Sequence, residues 1–177
     1  MIGTLYDKDV CIMLRHQPLT RTHNNITVFI DARNSHSATH FNNSPKLKAL
    51  ATTVIQTIDA TRPNIQIDYD FGSVVGFCDL TVTSDSDDIV YAKRLGRTIY
   101  SRFVKNKEME PTTFVTVVLQ RIPAGYLLLS AWLGPSVPPF PGDRREWPES
   151  RYFWKTHALI FGNQAIDERT LTSSCPW

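Results

Sequence analysis

The chain has 177 residues, of which 42% are hydrophobic and 20% are charged. This composition suits a globular protein with a sizeable core and excludes a globally disordered chain. The formal net charge of +2 is too small to indicate nucleic-acid binding by itself, so the local clustering of charge matters more than its total.

Three cysteines, Cys11, Cys78 and Cys175, lie far apart and form no CxxC pair. Their spacing argues against a structural zinc site and a disulfide scaffold, and scattered reduced thiols are typical of a cytosolic protein. The first residues, MIGTLYDKDVCIML, carry acidic side chains where a signal peptide has a basic start. No window reaches the roughly 18 apolar residues of a membrane span. We therefore expect a cytoplasmic protein with no membrane partner, no metal and no cofactor. A toxin exported by another route would have the same sequence features.

In the first third of the chain, two short apolar runs predict buried strands at residues 10–14 (VCIML) and 26–32 (ITVFIDA). Ser44 followed by Pro45 is a helix-start signal, because serine caps the helix and proline suits its first position. We expect a helix over residues 45–60, with an apolar stripe at helical spacing.

In the middle of the chain, residues 65–69 alternate as a half-buried strand does, and residues 74–83 are expected to return as its hairpin partner. The acidic segment SDSDD then favours the start of a second helix, because negative charge suits the positive end of the helix dipole. The predicted helix covers residues 87–104. Its apolar stripe consists of Ile89, Ala92, Leu95, Gly96, Ile99 and Phe103.

The C-terminal part begins with two long apolar runs, residues 112–122 and 125–134, which predict central strands joined by a tight turn. Residues 135–155 are rich in proline and aromatic side chains and are expected to form an ordered surface loop. A short helix is expected within it before a last strand at residues 157–162 (HALIFG). Trp177 could dock back onto the protein.

These elements predict an α+β fold in a single domain spanning residues 1–177. The expected architecture is a central, mostly antiparallel sheet packed against two main helices, at about residues 45–60 and 87–104.

Histidines are the first candidates for chemistry, because imidazole transfers protons near neutral pH. His36 and His40 lie in the segment SHSATHF after a predicted strand, and His157 follows the aromatic segment. Two of them brought together could act as acid and base in metal-free cleavage of RNA, with the 2′-hydroxyl as nucleophile. The alternative is that they are loop and strand-edge histidines without a catalytic role.

A basic face is the second candidate. Lys93, Arg97 and Tyr100 would lie in a row on the predicted second helix, where they could contact phosphates. A solvated helix face has the same composition.

The proline-rich segment is the third candidate, because Trp147 and Trp154 alternate there with Arg151 and other arginines. Arginine beside aromatic rings is typical of single-strand base stacking. It is equally typical of a protein-binding surface, for which residues 140–154 are the candidate, or of rings that cover the edge of a core.

The order of these pieces resembles the compact metal-independent ribonucleases of bacterial toxin systems, the barnase–EndoU–colicin–RelE group. The resemblance covers roughly residues 36–134, from the histidine segment through TFVTVVLQ and GYLLLSAWLG. It implies an antiparallel sheet packed on helices, with His40, Lys93 and Ser130 as candidate catalytic residues. The aromatic segment that follows departs from the pattern of this group.

A second, fainter resemblance is to PIN-type nucleases, whose first acidic strand is similar to IDARN in this chain. That family binds metal through several acidic residues at strand ends, and Asp68, Asp70 and Asp79 are available here.

We therefore expect a small RNA-directed protein of a bacterial or phage-like system, with ribonuclease-like histidine chemistry. Its candidate catalytic residues are His36, His40, Lys93, Ser130 and His157, and its candidate substrate-binding residues are Arg97, Tyr100, Trp147, Arg151 and Trp154. The alternative is a non-catalytic interaction module that docks a protein partner through the Pro/Trp-rich loop. The enzyme hypothesis requires the segment SHSATHF to meet His157 or Lys93 in one cleft.

Overall fold

The computed structural model of the chain describes residues 16–31, 41 and 44–177. The strand predicted at residues 10–14, together with His36 and His40, lies outside these described residues.

The described residues form twelve strands and two helices. Numbered in chain order, the strands are β1 (His16–Arg21), β2 (Thr27–Asp31), β3 (Asn64–Asp70), β4 (Gly76–Cys78), β5 (Leu80–Val82), β6 (Ile89–Arg94), β7 (Tyr100–Val104), β8 (Glu110–Thr112), β9 (Phe114–Ile122), β10 (Gly125–Leu133), β11 (His157–Ile160) and β12 (Ile166–Thr172). The helices are α1 (Pro45–Thr57) and α2 (Ser150–Thr156). No helix of the described residues is long and apolar enough to cross a membrane.

The chain divides into two compact units, each made of two separate stretches of sequence. Unit 1 comprises Met1–Ser73 and Phe114–Pro135, and unit 2 comprises Val74–Thr113 and Ser136–Trp177. The single domain expected over residues 1–177 stays a prediction.

Unit 1 is a five-stranded sheet in the order β1-β2-β10-β9-β3, with α1 packed against it. The predicted hairpin of β9 and β10 is confirmed, and these strands lie in the middle of the sheet. The β2–β10 pair is parallel, and Gly125 at its start has φ +145°. A Cβ at this position would collide with the carbonyl oxygen of Thr27, so the approach of the two strands requires glycine.

The first predicted helix is confirmed as α1. Ser44 caps it by accepting a hydrogen bond from the Leu47 backbone N–H at 3.3 Å, and Pro45 occupies its first turn. The helix ends at Thr57, slightly before the predicted end, because Ile58 adopts an extended backbone. Its buried side chains are Leu47, Ala51, Val54 and Ile55.

Unit 2 holds a second five-stranded sheet, in the order β12-β6-β7-β11-β5, and the small two-stranded sheet β4-β8. The register aligns Val90 with Phe103 and Phe103 with Leu159, so these side chains share one face of the larger sheet. That face forms the main core of unit 2 together with Ala92, Phe140 and Trp154.

The second predicted helix, at residues 87–104, is wrong. These residues form the antiparallel hairpin of β6 and β7, which reverses at Gly96 with φ +72°. Glycine is a poor helix former that reaches this left-handed conformation without strain, and the β-branched residues around it favour strands. Neighbouring strands β12 and β11 then hydrogen-bond both outer edges of the hairpin.

The predicted α+β class is therefore wrong as well. The described chain is mostly β, with three sheets and two short helices, and it lacks a central sheet packed against two main helices. The expected hairpin of residues 65–69 and 74–83 is also wrong, because β3 pairs with β9 while β4 and β5 pair with β8 and β11.

The expectations of a short helix, a last strand and a docked Trp177 in the C-terminal part are confirmed. A short helix, α2, does follow the proline-rich segment, and the strand predicted at residues 157–162 is present as β11. Trp177 docks edge-on against Tyr91, with ring centroids 5.1 Å apart.

Candidate anion-binding cleft

The most distinctive site of unit 2 is a cleft of about 600 Å³ between the β6–β7 turn and the loop that follows Phe140. We call it the arginine cleft, because the charged side chains that line it are Arg94, Arg97, Arg144, Arg145 and Asp143. Four arginines against one aspartate give the lining a formal charge of +3. A concave site of this size with positive walls suits an anionic ligand.

The alternation of side chains along strand β6 places a charged residue at this position. Val90 and Ala92 point into the core, and Arg94 continues the same face one step beyond them. Ser101 on β7 pairs with Ala92 on β6, lines the cleft and is buried. Arg94 therefore lies where the apolar core of unit 2 ends and the cleft begins.

Arg94 is half-buried and is held by a short hydrogen-bond chain. Its Nη1 donates to Oε1 of Gln164 at 2.9 Å, and Nε2 of Gln164 donates to Oδ2 of Asp79 at 2.6 Å. The guanidinium also lies over the ring of Phe140, 5.7 Å from its centroid. The glutamine thus stands between the arginine and the carboxylate of Asp79.

No carboxylate pairs with Arg94 among the described residues, and its buried Nε–H has no hydrogen-bond acceptor there. Burial, together with the positive charge of Arg97, lowers the pKa of Arg94 from its ordinary value. Arginine stays protonated in proteins all the same, and a half-buried charge without an ion-pair partner is unfavourable. An anion in the cleft would supply the ion pair that Arg94 lacks among the described residues.

The three exposed arginines of the cleft differ in their partners. Arg145 donates from Nε and Nη2 to the two carboxylate oxygens of Asp143, each at 3.3 Å, and this hydrogen bonding lowers the pKa of Asp143. Within the described part of the chain, Arg97 and Arg144 form no ion pair and no side-chain hydrogen bond. Their guanidinium groups are available to a ligand, whereas that of Arg145 is already engaged.

The row predicted from Lys93, Arg97 and Tyr100 does not exist, because it depended on the incorrect helix. Lys93 and Tyr100 pair across the β6–β7 hairpin, with the ammonium 5.1 Å from the ring centroid. The two-residue period of strands places both on the opposite face from Arg94 and Ser101. Only Arg97, in the turn, lines the cleft.

Of the predicted stacking residues, Trp154 belongs to the core. It is 1% exposed, stacks on Phe140 at 3.8 Å and donates its indole N–H to the carbonyl of Pro138 at 2.9 Å. Arg151 is paired with Glu146 at 3.2 Å. Trp147 is 44% exposed and could meet a ligand.

His157 packs against a neighbouring residue of α2. Its ring stacks on Phe153 with centroids 4.0 Å apart, and its Nδ1 lies 3.1 Å from the Phe153 carbonyl oxygen, to which it can donate. His157 is also the C-cap residue of α2. Whether the segment SHSATHF meets it stays a prediction, since His36 and His40 are outside the described residues.

Ser130 lies half-buried in β10 of unit 1, next to a shift of register in its pairing with β9. Of the acidic residues considered for a PIN-type site, Asp68 and Asp70 lie in β3 of unit 1 and Asp79 lies in unit 2. No group of three or more His, Cys, Asp or Glu side chains in the described ranges is placed to hold a metal ion.

The sequence-based site set includes Arg97 but misses Arg94, Arg144 and Arg145. The sequence feature that indicates these arginines is a pair of glycine-containing turns, RLGR at residues 94–97 and GDRR at residues 142–145. Each turn contains a glycine with positive φ, Gly96 at +72° and Gly142 at +85°, which brings flanking arginines to the same cleft.

No protein-family model matches the chain, and comparison with curated proteins and with solved structures likewise gives no match.

Proposed function

We propose that the protein binds single-stranded RNA and that the arginine cleft of unit 2 is where the phosphates bind. The observation that carries this proposal is Arg94, a half-buried guanidinium without a carboxylate partner among the described residues. Phosphate oxygens accept paired hydrogen bonds from guanidinium groups, and such charge-assisted bonds are strong.

Exposed aromatic rings near the cleft residues in the sequence favour a nucleic acid over an isolated small anion. Trp147 follows Arg145 by two positions on the same loop, and Tyr152 on α2 is 77% exposed. Bases stack on such rings at little cost in sequence specificity, and only unpaired bases are free to do so. These features support a single strand as the ligand.

The rival hypothesis, a protein-docking loop at residues 140–154, has less support. Its largest aromatic pair, Phe140 and Trp154, is buried in the core of unit 2 and cannot act as an anchor for a partner. Cleavage of RNA by His157 with a second histidine is a separate prediction. The proposal of RNA binding does not depend on it.

The test is a binding titration by fluorescence anisotropy, with an internally labelled single-stranded RNA of mixed sequence and the full chain. We expect Arg97→Gln with Arg144→Gln to weaken binding by about tenfold or more, since each substitution removes a charge-assisted bond to a phosphate. The slope of log K against log salt should also become shallower by about 0.7 for each phosphate that the variant no longer neutralises.

Arg169→Gln is the matched control. Arg169 lies in the same unit, is highly exposed and pairs with Asp167 outside the cleft, so its loss removes one charge without touching the site. It is compared with Arg97→Gln alone, which also removes one charge. Equal weakening by the control would show that only net charge matters. Wild-type protein that binds no RNA, or that prefers single-stranded DNA of the same sequence, would overturn the proposal.

A further inference from the structure

We propose that the arginine cleft recognises a terminal phosphate monoester of the RNA, at its 5′ or 3′ end, with Arg94 as the innermost contact. This inference rests on the proposed RNA binding and specifies which part of the RNA enters the cleft.

The first argument is depth. Phe140 and Ser101 line the cleft although they are 8% and 1% exposed, so the cleft reaches down to the level of the core. Arg94 lies beside them and is half-buried, whereas Arg97 and Arg144 are exposed at the rim. A ligand must therefore insert its charged group to reach Arg94, rather than lie across the surface.

The second argument is the size of the cleft. Its volume of about 600 Å³ is in the range of a site for one small ligand. An internal phosphodiester carries a nucleoside on each side, and both would have to enter before its phosphate reached the floor. A terminal phosphate can enter first, with its single nucleoside behind it near the rim.

The third argument is charge. Arg94, Arg97 and Arg144 are the cleft cations that form no ion pair within the described residues, whereas Arg145 pairs with Asp143. A phosphate monoester carries about −1.5 to −2 charges at pH 7, since its second pKa is about 6. A diester carries only one. The monoester therefore matches the three guanidinium groups better.

The fourth argument is preorganisation. Gln164 fixes Nη1 of Arg94 and donates to the carboxylate of Asp79, so that the acid forms no direct ion pair with the arginine. The guanidinium is held in place by the Gln164 hydrogen bond and by Phe140 before any ligand arrives. A site of this kind gains affinity because the arginine side chain loses little conformational freedom when the ligand binds.

The experiment compares three RNAs of one sequence with the same internal label, carrying a 5′-phosphate, a 3′-phosphate or hydroxyls at both ends. We expect one phosphorylated RNA to bind at least about tenfold more tightly than the hydroxyl form. The preference should shrink as the pH falls through about 6, where the monoester loses its second charge. Adenosine monophosphate carrying the same terminal phosphate should compete, and adenosine should not.

Arg94→Gln should abolish the preference, and the Arg169→Gln control should keep it. Because Arg94 adjoins the core, thermal unfolding is measured alongside, and Arg144→Gln at the exposed rim provides a second variant that leaves the core untouched. It should reduce the preference by severalfold. Equal affinity for all three RNAs would overturn the terminal-phosphate inference while leaving RNA binding intact. Failure of the wild-type protein to bind any of them would overturn both.

Discussion

The guanidinium of Arg94 lies over the ring of Phe140, with 5.7 Å from its central carbon to the ring centroid. Phe140 in turn stacks on Trp154 at 3.8 Å, with the two ring planes only 20° apart. The floor of the arginine cleft is therefore continuous with the main core of unit 2. Because Trp154 supports the ring on which Arg94 rests, a substitution in the core of unit 2 is expected to disturb Arg94 as well.

Trp154→Ala is expected to destabilise the protein by about 3–5 kcal/mol, because it removes a fully buried aromatic side chain and leaves a cavity. Tyr152→Ala is the control, since Tyr152 is 77% exposed and its removal should cost less than about 0.5 kcal/mol. Denaturant unfolding followed by circular dichroism measures both. Similar losses for the two variants would contradict the assignment of Trp154 to the core.

Gln164→Leu is expected to weaken RNA binding by severalfold. Without the amide, the carboxylate of Asp79 loses its hydrogen-bond donor and becomes free to attract the guanidinium of Arg94 away from a ligand. Asn163→Leu, a change of the same kind at an exposed neighbouring position, should leave binding unchanged. Anisotropy titration checks the pair, and unchanged affinity in Gln164→Leu would remove the glutamine from the site.

Asp143→Asn is expected to strengthen RNA binding by severalfold, because it removes the one negative charge of the cleft and releases Arg145. The hydrogen bonds from Arg145 lower the pKa of Asp143, so its carboxylate stays ionised from pH 8 down to pH 5. Its pairing is lost only as the pH falls through that lowered pKa, so Asp143 contributes no change in affinity over this range.

Glu149→Gln, which removes an exposed carboxylate that does not line the cleft, is the control for this change. An RNA with hydroxyl ends keeps the ligand itself from titrating during the pH series. Weaker binding by Asp143→Asn would show that the aspartate positions Arg145 for the ligand instead of competing with it.

Gly125→Ala is expected to destabilise unit 1 by about 1–3 kcal/mol more than Gly72→Ala does, through overpacking. Both glycines have positive φ, but a Cβ at Gly125 would collide with the Thr27 carbonyl oxygen, whereas a Cβ at Gly72 would meet open space. The difference between the variants in denaturant unfolding isolates the close approach of β2 and β10. Equal losses would mean that backbone conformation alone accounts for the effect.

The parts of the fold that the sequence predicted correctly have strong local signals. Ser44 and Pro45 mark the start of α1 by capping and ring geometry, and the two apolar runs around residues 123–124 define the β9–β10 hairpin. These signals act within a few residues of the elements they specify. The parallel pairs β2–β10 and β7–β11 join strands that are far apart in the chain, and no local pattern indicates them.

The incorrect helix at residues 87–104 also explains why the candidate site was predicted only in part. Apolar residues in that stretch fit a helical stripe, but they equally fit two short strands if Gly96 is a turn. On a helix, Lys93 and Arg97 would share a face. In the hairpin, strand alternation separates Lys93 from Arg94, and the turn returns Arg97 to the side of the cleft.

The interleaved composition of the two units has a consequence for the order in which the protein can form during its synthesis. The sheet of unit 1 needs β9 and β10, which leave the ribosome only after β4 to β8 of unit 2 have already appeared. The strands of unit 2 must then wait for β11 and β12 near the end of the chain. Unit 1 cannot be completed before most strands of unit 2 have been made. The protein therefore cannot fold in the usual order, in which an N-terminal domain is completed before a C-terminal one.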